Sequence, residues 1–283
     1  MLIQPALSGE ALLADIHQAN ARNGSFRLWW LGQSGFLLQW EGRHLLFDPY
    51  LSDSLTRKYA ATDKPHVRMT ELAVRPERLD FIDVVTSSHN HTDHLDAETL
   101  GALLAANPNL VLAIPEANRA FVADRLRIPP SQPLGLDDGG SLASHGFVIQ
   151  GVPSAHEEVE RDEADRCKYL GYVVQFGGFS VYHSGDTIRY PGMAEKLRPF
   201  GVDVALLPIN GRAPERRVPG NLSGAEAALL AHDMGAKLVI PCHYEMFAFN
   251  TASPDGFVSE CNRLGQLYRV VRCGERWTSE SST

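Results

Sequence analysis

The residues best suited to chemistry form one short run, Ser88-His89-Asn90-His91-Thr92-Asp93-His94, which follows the apolar pair Val84-Val85. The run holds three imidazoles and a carboxylate, which is more than the packing of a core explains. Neutral imidazole nitrogen and carboxylate oxygen are ligands that suit zinc, and manganese or iron where carboxylates contribute. We therefore predict that this run binds a divalent metal.

A metal needs more ligands than one loop offers, and three other places in the sequence can supply them. Each lies at the end of an apolar run, and the residues are His156, Asp186 and His243. Loops at strand ends are where an α/β scaffold presents its reacting groups. The sequence therefore predicts one site assembled from four separate segments.

The elements that must position these residues follow from the apolar periodicity. Helices are predicted over residues 1–24 (ending at Asn23-Gly24), 96–106, 116–126 and 223–234. Strands are predicted over 26–31, 36–40, 44–47, 82–87, 110–114, 147–152, 169–176, 179–183, 202–209 and 237–241. Two β-rich blocks flanked by helices indicate two sheets with helices outside. Residues 51–70 are polar and irregular, which predicts a long loop and a candidate lid.

Composition limits the class of protein. The chain has 283 residues, 44% of them apolar, and a net charge of −8. This favours one domain over 1–283, disfavours nucleic acid as a partner, and leaves a homo-oligomer open. No apolar run approaches the roughly 20 residues that span a bilayer, so we expect no stable membrane association. Four cysteines without a C-x-x-C pair favour a cytoplasmic protein with reduced thiols.

The order of these residues resembles that of a known family. His89-X-His91-X-Asp93-His94, then His156, Gly185-Asp186 and His243, with Asp48 after Leu45-Leu46-Phe47, are similar to the metallo-β-lactamase superfamily over nearly the whole chain. The stretches 182–186, 205–210 and 239–243 resemble the branch that contains L-ascorbate-6-phosphate lactonase and N-acylphosphatidylethanolamine phospholipase D. The resemblance implies an α/β fold, a four-layered αβ/βα sandwich with the metals at one edge between the sheets.

The resemblance also implies a role for each position. His89, His91 and His156 would bind a first metal; Asp93, His94 and His243 would bind a second. Asp186 would bridge them. Asp48 would orient a ligating histidine, and His183 is a candidate for a similar role or for an acid. The implied cofactor is one or two divalent ions per chain, manganese or zinc, with iron as a further option.

These residues predict a metal-dependent hydrolase. A metal-bound hydroxide, oriented by Asp93, would cleave a lactone or ester of a small anionic metabolite, phosphorylated or not. A phosphodiesterase, phospholipase D-like or nucleotide-directed, is the alternative, and a non-catalytic metal-binding module is a third.

Substrate selectivity has weaker signals in the sequence. Arg212, Arg216 and Tyr244 are the candidate substrate-binding residues because they follow predicted strand ends near the ligands, and an arginine fork suits phosphate or carboxylate. A merely charged loop is the other interpretation of 210–217. The remaining histidines lack partners at ligand spacing and are predicted to be structural: His17, His44, His66, His145 and His232.

Overall fold

The computed structural model describes residues 1–19 and 24–280. That part of the chain contains thirteen β-strands, arranged in two sheets. They are β1 (Phe26–Gly32), β2 (Gly35–Trp40), β3 (Arg43–Phe47), β4 (Val84–Thr86), β5 (Val111–Pro115), β6 (Leu134–Leu136), β7 (Ser141–Ser144), β8 (Phe147–Pro153), β9 (Leu170–Phe176), β10 (Phe179–His183), β11 (Val204–Pro208), β12 (Leu238–Cys242) and β13 (Arg276–Thr278).

The first sheet has the order β13-β1-β2-β3-β4-β5-β6. Its first four strands pair antiparallel, and β3 to β6 pair parallel. Every residue of β1 and β4 is buried, as expected for strands covered on both faces. The second sheet has the order β12-β11-β10-β9-β8-β7, with β10, β11 and β12 parallel and the other neighbours antiparallel.

Seven α-helices complete the described part of the chain. They are α1 (Gly9–Gln18), α2 (Ser54–Tyr59), α3 (Ala97–Ala106), α4 (Arg119–Leu126), α5 (Met193–Leu197), α6 (Gly224–Met234) and α7 (Asp255–Leu264). Local sequence sets the ends of α6: Ser223 and Glu226 form a capping box, and Gly235 ends the helix in a left-handed conformation. The helix packs its buried alanines and leucine against β11 and β12.

The two sheets face each other across a shared core. Phe26 of β1 packs edge-on against Phe176 of β9, with ring centroids 5.2 Å apart, and Trp40 of β2 meets Phe147 of β8 at 6.5 Å. Sheets packed through such contacts, with helices outside, form the αβ/βα sandwich that the sequence predicted, and this fold is confirmed.

Strand direction explains where chemistry can assemble. In the first sheet, β2 is antiparallel to both β1 and β3, and β3 is parallel to β4, so β1, β3 and β4 run in the same direction. In the second sheet, β9 is antiparallel to both β8 and β10, and β10, β11 and β12 are parallel, so β8, β10 and β12 run in the same direction. The residues that follow these six strands therefore lie along the edge of their sheet where parallel strands end. Every predicted metal ligand follows one of these strands.

Several predicted elements differ in extent. The helix predicted over 1–24 is only α1, and its predicted end at Asn23 lies outside the described residues. Residues 51–70 are not an irregular loop throughout: they contain α2, and Arg68 is tied to Asp53 by a 2.6 Å ion pair. The sequence analysis missed β6, β7, α5 and β13, which have three to five residues each, and the ten-residue helix α7. No helix among residues 1–19 and 24–280 is long and apolar enough to cross a bilayer.

Candidate metal centre

The structure brings all seven predicted ligand residues together at the ends of the strands. They form two groups, and within each group one nitrogen or oxygen atom per residue lies within 4.8 Å of the others. The first group is His89, His91 and His156; the second is Asp93, His94, Asp186 and His243. The grouping matches the division into two metal sites that the resemblance implied, although ion binding itself stays a prediction.

Asp186 lies between the two groups. Its Oδ1 is 3.2 Å from His94 Nε2, and its Oδ2 is 3.3 Å from His243 Nε2 and 3.4 Å from His156 Nε2. One carboxylate therefore contacts imidazoles of both groups, as a bridging ligand must.

The donor atoms fit a divalent ion. His89 Nε2, His94 Nε2 and Asp186 Oδ1 are buried and form no hydrogen bond of acceptable geometry in the described residues, although the last two atoms lie 3.2 Å apart. Leaving such atoms unpaired in a protein interior is costly, and a cation among them would satisfy all three. Histidine nitrogen with carboxylate oxygen is also a donor set that zinc, manganese and iron accept.

Burial and neighbouring charges shift the pKa values of the two ligand groups differently. Burial, assisted by the neighbouring His94, lowers the pKa of His89 well below its usual value, and burial also lowers the pKa of His91. These imidazoles are therefore neutral near pH 7, the form that binds a metal. In the second group, burial opposes ionisation of Asp186, but the imidazoles of His243 and His94 outweigh it and hold its pKa well below the usual range.

The imidazoles of the second group have raised pKa values. Burial disfavours the charged form of His243, yet the carboxylates of Asp186 and Asp93 raise its pKa to about 9. The same two carboxylates raise the pKa of His94 well above its usual value. A metal ion that binds to these ring nitrogens must displace the protons that they carry, so metal binding here should release protons.

Asp48 orients the second group, as the resemblance implied. The carboxylate is fully buried, and His94 Nδ1–H donates to its Oδ2 at 2.7 Å. Ser88 also donates to it from its backbone and its hydroxyl, and Thr86 Oγ1 donates at 3.0 Å. These bonds fix the tautomer of His94 so that its Nε2 faces the cluster. His156 is held likewise, because its Nδ1–H donates to the Gly220 carbonyl at 2.8 Å.

Gln33 is a site residue that the sequence analysis missed. Its side-chain Nε2 donates to Asp93 Oδ2 at 2.8 Å and lies 3.1 Å from His243 Nε2. Its backbone carbonyl accepts the His243 backbone N–H at 2.9 Å. The available signal was its position: it is a polar residue next to Ser34, directly after a buried strand, as the predicted ligands are.

Backbone geometry at the strand ends is unusual. Gln33, Asp48 and His243 all have positive φ angles, of 49°, 37° and 62°. Non-glycine residues adopt this region at a cost of about 1 kcal/mol or more, and such residues concentrate at functional sites. Gly185 has a φ of 59°, and a Cβ atom there would lie 2.5 Å from the Ser88 Cβ, so only glycine lets the Asp186 turn approach the histidine run.

His183 supports the turn before Asp186 and does not face the ligands. Its Nε2–H donates to the Ser34 carbonyl at 2.8 Å, its Nδ1 accepts the Gly185 N–H at 3.3 Å, and its ring stacks on Phe47. The side chain is fully buried, so the structure favours the positioning role and removes the acid role toward substrate.

The three candidate substrate-binding residues are placed elsewhere. Tyr244 is only 2% exposed, donates to the Val271 carbonyl at 2.9 Å and packs on Trp30, so it belongs to the core. The reason is the left-handed φ of His243, which turns the next side chain away from the cluster. Arg212 is paired with Glu226 at 2.5 Å beside a hollow next to His156. Arg216 donates to the backbone carbonyls of Asn210 and Thr251.

A cavity of about 270 Å³ opens onto both ligand groups. Its floor is formed by His91, Asp93, His156, Asp186 and His243. Its walls come from α2, from His66, and from the segments 218–221 and 247–250. Arg125 also lines it, and its Nη1 donates to the carbonyls of Asn90 and Leu95, at either end of the histidine run.

A sandwich of two sheets with a histidine and aspartate cluster between their strand ends defines a class of metallo-hydrolase fold. The family model described as "Beta-lactamase superfamily domain" matches residues 27–243. The chain belongs to the β-lactamase superfamily, and it is a homologue of the UPF0173 metal-dependent hydrolases within it. One such hydrolase, from Opitutus terrae, is 30% identical over 254 residues, covering 88% of this chain and 98% of the relative. Another, from Myxococcus xanthus, is 28% identical over 265 residues, covering 89% of this chain and 82% of the relative.

Solved structures show the same fold. The isothiocyanate hydrolase from Delia radicum gut bacteria aligns with a TM-score of 0.71 at 19% identity, covering 90% of this chain and all of that one. Igni18, a metallo hydrolase from the archaeon Ignicoccus hospitalis, aligns with a TM-score of 0.66 at 22% identity, covering 90% of this chain and 99% of that one. The predicted superfamily is thus confirmed, whereas the lactonase branch stays a prediction.

Proposed function

We propose that this metal-dependent hydrolase cleaves a lactone or ester of a small anionic metabolite, using one or two ions of manganese, zinc or iron. The observation that carries the proposal is that both ligand groups open onto one cavity of about 270 Å³. Pockets for drug-sized ligands span about 300–1,000 Å³, so a cavity just below that range suits a smaller molecule. A divalent ion bound here would polarise the scissile bond and lower the pKa of a water molecule.

Asp93 is suited to orient the attacking water. It is the most open carboxylate of the cluster, with 18% of its side chain exposed against 5% for Asp186. Burial raises its pKa, but His94 and His243 outweigh burial and keep it ionised. Gln33 donates to Oδ2 at 2.8 Å and fixes the carboxylate rotamer, which leaves Oδ1 able to accept a hydrogen bond from water.

A cysteine nucleophile is disfavoured by the environment of Cys242. The residue is 2% exposed, and burial raises the pKa of its thiol well above the usual value. Water directed by Asp93 is therefore the nucleophile that we propose. The proposal places the enzyme in the cytoplasm because its four cysteines are buried free thiols. It includes no nucleic acid as a partner because the net charge is −8, and no stable membrane association because no apolar run approaches the roughly 20 residues that span a bilayer.

The test measures initial rates of the protein loaded with manganese or zinc on a sugar-phosphate lactone and on a simple phosphodiester, with Asp186→Ala as the blank. A lactone rate well above the blank supports the proposal. Hydrolysis of the phosphodiester alone overturns it in favour of a phosphodiesterase. Stoichiometric metal without hydrolysis of any ester class would indicate a non-catalytic metal-binding module.

A further inference from the structure

The cavity above the metal centre has one wall of aromatic rings, formed by Tyr59, His66, Phe247 and Phe249 and called here the aromatic wall. His66 stacks on Tyr59 with centroids 4.2 Å apart and planes 18° apart. The same imidazole meets Phe249 edge-on at 4.5 Å and Phe247 at 5.2 Å. The sequence analysis left His66 as a structural histidine, but the structure places it on the cavity.

The rings of the aromatic wall hold one another in place. His66 Nδ1–H donates to the Lys64 carbonyl at 3.2 Å, and its own carbonyl accepts from Thr56 Oγ1 at 2.8 Å. Burial lowers the pKa of His66, which favours the neutral ring that stacks well. A rigid wall of aromatic faces and edges matches a flat apolar group in a ligand, because offset stacking and edge contacts are the favoured geometries.

Charge in the cavity is arranged along the rim. Lys58 and Arg125 both line the cavity, and in the described residues neither has a carboxylate within ion-pairing distance. Among the residues that the structure describes, the carboxylates that line it are Asp93 and Asp186, which belong to the metal centre. Two cations without counter-charges beside an apolar wall complement an anionic group on the ligand.

The two arginines that the sequence nominated do not supply this charge. Arg212 is neutralised by Glu226 and lines a separate hollow, and Arg216 is not among the described residues that line this cavity. The positive groups that face the metal centre come instead from α2 and α4, which the sequence analysis had not connected with the site.

We propose that the cavity selects a small aromatic anion: a flat ring placed against the aromatic wall, an anionic substituent beside Lys58 and Arg125, and the scissile group over the metal centre. This inference rests on the proposed function for the identity of the scissile group, but the binding preference itself is independent of turnover.

The test therefore uses ligands that are not hydrolysed. Dissociation constants of benzoate, cyclohexanecarboxylate and benzyl alcohol are measured by NMR titration on the zinc-loaded protein. Benzoate and cyclohexanecarboxylate share their charge and approximate size, so their ratio isolates the flat ring and cancels any contact of carboxylate with metal. We expect benzoate to bind about fivefold more tightly, the order of an aromatic pair. Equal binding of the two carboxylates would overturn the proposal.

Variants assign the preference to the named residues. Phe249→Leu should bring the benzoate to cyclohexanecarboxylate ratio close to one, with Tyr59→Leu as a second wall variant if the first does not fold. Phe179→Leu, on the remote β9–β10 hairpin, is the matched control and should keep the ratio. A ratio that persists in a folded wall variant contradicts the role of the aromatic wall.

The charged part of the proposal has its own pair of variants. Lys58→Gln should weaken benzoate about fivefold and leave benzyl alcohol unchanged, as expected for one charge contact of this kind. Lys237→Gln changes the net charge equally at a remote lysine that pairs with Asp203, and should change neither constant. Unchanged benzoate binding in Lys58→Gln would overturn the anionic contact. Because no step requires hydrolysis, absence of esterase activity would refute the proposed function while leaving this binding result valid.

Discussion

The metal centre and the aromatic wall face the same cavity but are built in opposite ways. The metal centre takes its residues from the ends of strands in both sheets, and His94, Asp48 and His243 are at most 1% exposed. The aromatic wall takes its residues from α2 and two connecting segments, and Tyr59, His66 and Phe249 are only partly buried. The residues of the proposed chemistry thus belong to the sheets, whereas those of the proposed selectivity belong to segments that lie over the sheet edge.

The metal centre and the aromatic wall also differ in how they affect the stability of the fold. The metal centre contains left-handed residues, whose backbone strain opposes folding, and buried atoms without partners, which oppose folding until a cation binds. In the aromatic wall, by contrast, the contacts between the rings stabilise the folded arrangement of the wall. We therefore expect substitutions in the metal centre to change metal binding and turnover together, and substitutions around the wall to change substrate binding alone.

The largest effect should follow Asp186→Ala. Because Asp186 contacts imidazoles of both groups, its loss should lower bound metal and reduce turnover by more than about 100-fold, the upper end of what outer residues cost. Metal analysis and initial rates measure both. Asp165→Ala, at a carboxylate whose side chain is 88% exposed, is the control. Full activity in Asp186→Ala would remove Asp186 from the centre.

Asp48→Asn tests the buried support of the same centre. The variant keeps the shape but loses the charge that binds His94 Nδ1–H, so metal affinity should fall about 10- to 100-fold. Competition with a chelator of known affinity measures the loss. Asp83→Asn is the matched control, since Asp83 accepts from the His44 backbone N–H and has no contact with the ligands. Equal affinities in wild type and Asp48→Asn would contradict the orienting role.

A buried histidine outside the metal centre should affect stability alone. Burial lowers the pKa of His44 to about 4, below the value of about 6.5 expected in the unfolded chain. The unfolded state therefore binds more protons between those values, and the free energy of unfolding falls as the pH drops through this window. From pH 7 to pH 5 the contribution of His44 is about 2 kcal/mol, and His44→Gln should abolish it.

Urea unfolding of the metal-free protein at the two pH values measures this difference, and metal affinity of the variant should equal that of the wild type. An identical loss of stability in wild type and His44→Gln would show that other groups account for the acid sensitivity.

The smallest effect is expected at the rim of the cavity. Arg217 pairs with Asp63 at 2.7 Å and joins the segment before Val218 to the one before His66. Both side chains are more than half exposed, and such pairs contribute little. Arg217→Gln should change KM by less than about twofold and leave bound metal unchanged. A tenfold rise in KM would instead show that this pair holds the two segments over the substrate.

Local sequence determined much of the fold. Alternating apolar segments placed ten of the thirteen described strands, and residues such as Ser223 and Gly235 marked the ends of α6. The missed strands β6, β7 and β13 have three or four residues each. β6 and β13 exist because β5 and β1, on other segments, offer hydrogen bonds, which no local pattern encodes. β7 instead forms a hairpin with β8 across His145 and Gly146, a local turn that the sequence analysis overlooked.

Residue type and position at the end of an apolar run nominated the seven ligand residues, because histidine and carboxylate are common metal ligands and loops at strand ends present reacting groups. Asp48 was nominated only by the resemblance to the metallo-β-lactamase superfamily. Tertiary structure alone decided which other side chains reach the cavity. Tyr244 adjoins a ligand in sequence yet packs in the core, since one left-handed residue reverses its direction. Gln33, Lys58 and His66 reach the site from distant segments, because direction and neighbourhood depend on packing between sheets and not on sequence distance.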